Sequence, residues 1–136
     1  MVDSTQTMAE QIAKVATTFQ RQRTGHGPKA VNVVLGGDTL VVTLHGALSP
    51  AELALSQTSE GAAKVQEFHR QLFLSASEGL YREIRRITGV EVREATAEVE
   101  PTAGAAVQVF PSGTMVQVFL LSGKLSPESC DGSYKA

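Results

Sequence analysis

The stretch RTGHGPKA, residues 23–30, gathers Arg23, His26 and Lys29 around Gly25 and Gly27. Glycines interleaved with cations can cradle a phosphate through backbone N–H groups. Such a cradle lies between a strand and the N-terminus of a following helix. Here the order is reversed: a helical pattern precedes the glycines, a β-branched run follows, and there is no GK[ST]. Gly25 suits a helix stop, and Pro28 keeps that helix from resuming. The loop is therefore read chiefly as a joint. A weak anion site on Arg23, Gly25, His26, Gly27 and Lys29 stays open, because its N–H groups precede the strand that would use them.

The other reactive side chains do not assemble. His26, His45 and His69 share no metal-ligand spacing, and the single cysteine, Cys130, cannot complete a zinc site. Cys130 has no electropositive sequence neighbour to activate it. No GxSxG elbow occurs, and Ser49 and Ser59 are better explained as helix caps. Glu91, Glu94, Glu98 and Glu100 gather around the fifth element, and those at spacings of two or four would share a strand face as solvated charges, with Glu100 before Pro101 as a ligand-facing acid at most. The expectation is no catalytic residue, no metal and no cofactor: a noncatalytic protein.

The elements that carry these residues are legible. Met8, Ile12, Val15 and Phe19 share a helix face, and Thr7 with Glu10 forms a capping box. Val31, Val33 and Leu35, then Leu40, Val42 and Leu44, alternate on either side of Gly36-Gly37-Asp38, which predicts a hairpin. Ser49, Pro50 and Glu52 start a short helix. A long helix follows over roughly 60–88, with Ala62, Val65, Phe68, Leu72, Ala76, Leu80, Ile84 and Ile87 as its stripe and Phe73, Leu74 and Tyr81 widening it. Gly89 stops it. Residues 90–99 alternate imperfectly, and VQVF occurs at 107 and again at 116, as two arms of a hairpin.

The fold class is α+β: an antiparallel sheet of four or five strands against one long and two shorter helices, in the order α-β-β-α-α-β-β(-β). Residues 1–122 form one domain and 123–136 a flexible tail. A helix over 60–88 spans about 42 Å, against a diameter of roughly 36 Å for a compact chain of this size. Its stripe would project uncovered, which favours a homodimer through Phe68, Leu72, Phe73, Leu80, Tyr81 and Ile84. The alternative is a helix break near Ser75–Gly79.

Composition excludes several classes. Twelve basic and fourteen acidic residues give a net charge of -2, without the basic face that nucleic acid requires. No apolar run approaches the about 20 residues that cross a bilayer, and the N-terminus lacks a secretory pattern. A lone cysteine fits a reducing compartment. A cytoplasmic location without membrane insertion is expected.

In combination, GHGP after an amphipathic helix, GDTLVVTLHGALSPAELALSQTSEGAAKVQEFHRQLF, ITGVEV, AEVEP and VQVF resemble the MpsC-like family over about residues 8 to 110 or 120. LHGALSPAE is the most specific part. The positions that match are Gly25, Gly27, Pro28, Gly46, Leu48, Pro50, Glu52, Gly61, Thr88 and Gly89. His26 departs by standing where a fully charged residue is common. The resemblance implies a soluble accessory or regulatory component of a membrane-potential-generating or inorganic-carbon-uptake system, with a protein partner at a membrane complex. It carries over no catalytic residue. The alternative is a small-molecule domain that senses an anion or nucleotide in signalling.

Overall fold

The computed structural model describes residues 7–93, 105–124 and 131–135. Helix α1 spans Met8–Thr24, and its start is the expected capping box: Thr7 Oγ1 accepts from Glu10 N–H and Glu10 Oε1 accepts from Thr7 N–H. Strands β1 (Ala30–Gly36) and β2 (Thr39–His45) pair Gly36 with Thr39 across a two-residue turn. Gly37 takes a φ of 59° there, a conformation that glycine adopts without strain. Helix α2 (Pro50–Leu55) and the 30-residue helix α3 (Ser59–Thr88) follow. The N-cap of α3 is Thr58, not Ser59: Thr58 Oγ1 accepts from Gly61 N–H at 3.0 Å. The helix does not break at Ser75–Gly79.

Strands β3 (Ala105–Val109) and β4 (Met115–Leu120) form the second hairpin, and the sheet order is β3-β4-β2-β1-β5, with every pairing antiparallel. Strand β5 (Asp131–Lys135) lies inside the stretch expected as a flexible tail. It pairs along the outer side of β1 from Val34 to Ala30, because an edge strand offers unpaired backbone groups to any extended segment. Of the strand expected over 90–99, the described part contributes one bridge, Val92 to Leu121, and residues 94–99 lie outside the described residues. Cys130 lies outside them too.

Helices α1 and α3 pack on one another and on a single sheet face, α1 over β1 and β5 and α3 over β3. Along β1, β2 and β4 the buried positions alternate with open ones, as period-two geometry requires. Ile12, Val33, Leu40, Leu44, Ile84 and Phe119 lie at the centre of the core. The free edge of β3 is closed by a side chain. Gln66 Nε2 donates to Val107 O at 3.0 Å and its Oε1 accepts from Val109 N–H at 2.6 Å, so one amide of α3 takes the place of a neighbouring strand.

Candidate functional site

The elbow between α2 and α3 holds the most unusual polar contact among the described residues. Glu52 is the third residue of α2, and its Oε1 accepts from Ser49 N–H at 3.0 Å to complete the cap. Its Oε2 lies 2.5 Å from Nε2 of His69 on α3. His69 is 2% exposed and the Glu52 side chain 19%. Burial pushes the Glu52 carboxyl up, but the Ser49 backbone N–H, the hydrogen bond and charge of His69, and the Ser49 hydroxyl outweigh it, leaving the carboxyl below its ordinary value of 4.5. An ionised carboxylate only accepts, so Nε2 of His69 carries the donated proton. Both carboxylate oxygens are thereby committed. The pair ties α2 to α3.

Outside this pair a groove of about 470 Å³ is lined by Arg23 and Thr24 from the end of α1, Ser49, Glu52 and Leu55 around α2, and Lys64, Val65 and Phe68 on α3. Leu55 is 49% and Phe68 52% exposed. Lys64 is shared with Glu60 at 3.4 Å, whereas Arg23 forms no ion pair among the described residues. The groove therefore offers an apolar wall and one uncompensated cation. On its inner side His69 lines a second, smaller cavity in the core. Among the described residues no cluster of three or more His, Cys, Asp or Glu is placed to hold a metal.

The glycine loop is a joint. Gly25, at φ 75°, ends α1 and donates its N–H to Arg21 O at 2.8 Å. Thr24 Oγ1 donates to Gln20 O and accepts from His26 N–H. His26 Nε2 lies 3.2 Å from Gly46 O, to which a protonated Nε2 donates, and Lys29 N–H donates to His45 O at 2.8 Å. A side chain at Gly27 would meet the Arg21 guanidinium at 2.8 Å. The N–H groups of Gly25, His26 and Lys29 are thus spent within the chain, and Pro28 has none. Only Arg23 of the expected set reaches the groove. Thr88, Gly89 and Val90 repeat the same stop at the end of α3: Thr88 Oγ1 donates to Ile84 O and accepts from Val90 N–H.

The expected interface residues separate. Phe73, Leu80 and Ile84 are buried in the chain's own core. Leu72 is half-buried, and so is Tyr81, whose ring meets Phe119 edge-on at 6.4 Å. Phe68 alone stands out. The buried line on α3 runs Val65, His69, Phe73, Ala76, Leu80, Ile84, Ile87, one residue round from the expected stripe between 65 and 76. Helices α1 and α2 and strand β3 pack against α3. Apolar spacing pointed to Phe68 and Leu72; a step of four from Val65 through a histidine to Phe73 was the signal for His69, and its polarity obscured it. Gln20, Gln66 and Gln117 carried no signal at all.

A family model described as Na+-translocating membrane potential-generating system (MpsC) matches residues 4–112. The uncharacterized protein YbcI of Bacillus subtilis (strain 168) is 29% identical over 110 residues, covering 81% of this chain and 89% of that protein. No solved structure matches.

Proposed function

The chain belongs to the MpsC family, that of the Na+-translocating membrane potential-generating system, and from that premise we propose that it serves such a system as a noncatalytic accessory or regulatory domain. It acts on the cytoplasmic side as a homodimer, docks on a protein subunit at the membrane, and participates in the ion balance that accompanies inorganic-carbon uptake. Among the described residues no helix is long and apolar enough to cross a membrane, so the proposed membrane association runs through a protein. His69 and Glu52, the pair most able to do acid–base chemistry, are occupied in joining two helices.

The observation that carries the dimer is the open face of the sheet. Val34, Val41 and Val118 stand opposite one another across three strands, with Val116 and Leu120 beside them on β4. The outward positions of β1, β2 and β4 contain no Lys, Arg, Asp or Glu. A solvated sheet face ordinarily carries polar and charged residues. An uncharged, largely β-branched patch on these three of the five strands is complementary to itself, and two such patches pack at about 10 Å in a sandwich. Val41→Lys places a charge at the middle of that row. The expected result is a wild-type dimer in sedimentation velocity and a monomeric variant of unchanged circular dichroism; a wild-type monomer at tens of micromolar refutes the dimer. In a strain lacking the gene, wild type but not the variant restores membrane potential measured with a potential-sensitive dye.

A second reading, an anion or nucleotide sensor, draws on Arg23 in the groove beside Leu55 and Phe68. Its expected result is a rise in melting temperature with millimolar phosphate or nucleotide that Arg23→Ala abolishes. A flat melting temperature across both ligands dismisses it.

A further inference from the structure

The core between α1, α3 and β4 is not wholly apolar. A cavity of about 20 Å³ lies there, with Gln20, Arg23, His69 and Gln117 in its wall among apolar side chains such as Phe73 and Met115. Gln20 is 8% exposed and Gln117 6%. Nε2 of Gln20 and Oε1 of Gln117 are buried and find no hydrogen-bond partner among the described residues. One is a donor and the other an acceptor. They share a cavity wall yet do not bond to each other. Leaving either alone in the interior is costly, and native cores satisfy such groups directly or through water.

We infer that this cavity is a binding site for a single water molecule, which accepts from Gln20 Nε2 and donates to Gln117 Oε1. Volume selects the ligand. A water needs about 10–15 Å³ of such space, so the cavity takes one and excludes anything the size of a metabolite. Chemistry agrees, because a buried water needs two to four polar partners and purely apolar cavities stay dry. Both glutamines supply partners of opposite kind, and His69 and Arg23 are further polar side chains in the same wall. The bound water joins α1 to β4 at the point where α3 crosses them. Through His69 and Glu52 the polar line continues to the cap of α2.

The test uses the full chain. At atomic resolution an ordered water lies about 2.7–3.2 Å from both atoms. In solution, the Gln20 side-chain amide gives a nuclear Overhauser cross-peak to water with the sign of a long-lived bound molecule. A direct Gln20–Gln117 hydrogen bond, or no such cross-peak, overturns the site. Melting temperatures give an independent reading. Gln20→Leu strands Gln117 and lowers the melting temperature by several degrees, and Gln117→Leu does the same. Gln20→Leu/Gln117→Leu, which leaves no orphan, melts no lower than the worse single variant. A double variant whose drop equals the sum of the two overturns the bridge.

Discussion

Glu52→Ala lowers stability by about 3 kcal/mol, read as a fall in the urea midpoint at unchanged slope. The substitution removes two acceptors together. Ser49 N–H loses its capping partner at the start of α2, worth about 1 kcal/mol, and His69 keeps a buried donor with nothing to receive it. Breaking a buried pair from one side costs about 3–5 kcal/mol. The 19% exposure of Glu52 lets water reach part of the gap and puts the expectation at the lower end. Glu52→Gln retains an acceptor for Ser49 and costs less. A loss below about 0.5 kcal/mol in Glu52→Ala, the size of an ordinary surface substitution, would show that the pair does not hold α2 in place.

The pH dependence has a definite sign. Glu52 has a folded-state pKa below its ordinary 4.5. Its contribution is therefore complete above about 4.5 and disappears as pH falls through the lowered folded value. Glu67, held to about 2 chiefly by its hydrogen bonds to Arg70 and Gln71, titrates on the same acid side. Glu67 is common to wild type and Glu52→Gln, so the difference between their stability–pH curves isolates Glu52. The wild-type curve is the steeper of the two below 4.5, and identical slopes contradict the assignment.

Gly61→Ala is expected to destabilise by about 3 kcal/mol, at the upper end for overpacking. In an exposed helix the same change stabilises by about 1 kcal/mol. At position 61 a Cβ would lie 1.8 Å from Leu55 O and 2.9 Å from Leu55 C, both backbone atoms. Relief requires α2 to move from α3, which also separates Glu52 from His69. Gly79→Ala is the control. Its Cβ meets only the Phe19 ring, at 3.0 Å, and a side chain can shift. Thermal unfolding distinguishes the two: Gly61→Ala melts far below wild type and Gly79→Ala close to it. Equal midpoints would mean that the elbow opens freely.

Local chemistry wrote much of this fold into the sequence. Thr7 with Glu10 and Ser49 with Glu52 are caps because each hydroxyl and carboxylate satisfies donors only three residues away. Gly25, Gly37 and Gly89 mark their turns because each needs a positive φ. The resemblance to the MpsC-like family was also carried by such local stretches. The candidate site was less legible. Glu52 was visible as a cap, but its second oxygen finds His69 only when α3 folds back over α2. Periodicity tolerates steps of three or four, and that freedom let Phe68 stand in for His69 as the buried residue.

The two copies of VQVF separate what the sequence determined from what it did not. As sequence they are identical, and both form strands for the same reason, alternation of β-branched and aromatic residues with glutamine. Their register pairs Val107 with Gln117, not with Val116. That offset of one residue turns the second copy over. Gln108 is exposed on β3 while Gln117 is buried on β4 beside the core cavity. Because a strand repeats every two residues, a single step of register exchanges its faces. Spacing could place the two hairpins and the caps at Thr7 and Ser49, and the motif stretches carried the family resemblance. Which glutamine faces water and which is buried depended on pairing across the sheet, and only the tertiary structure set it.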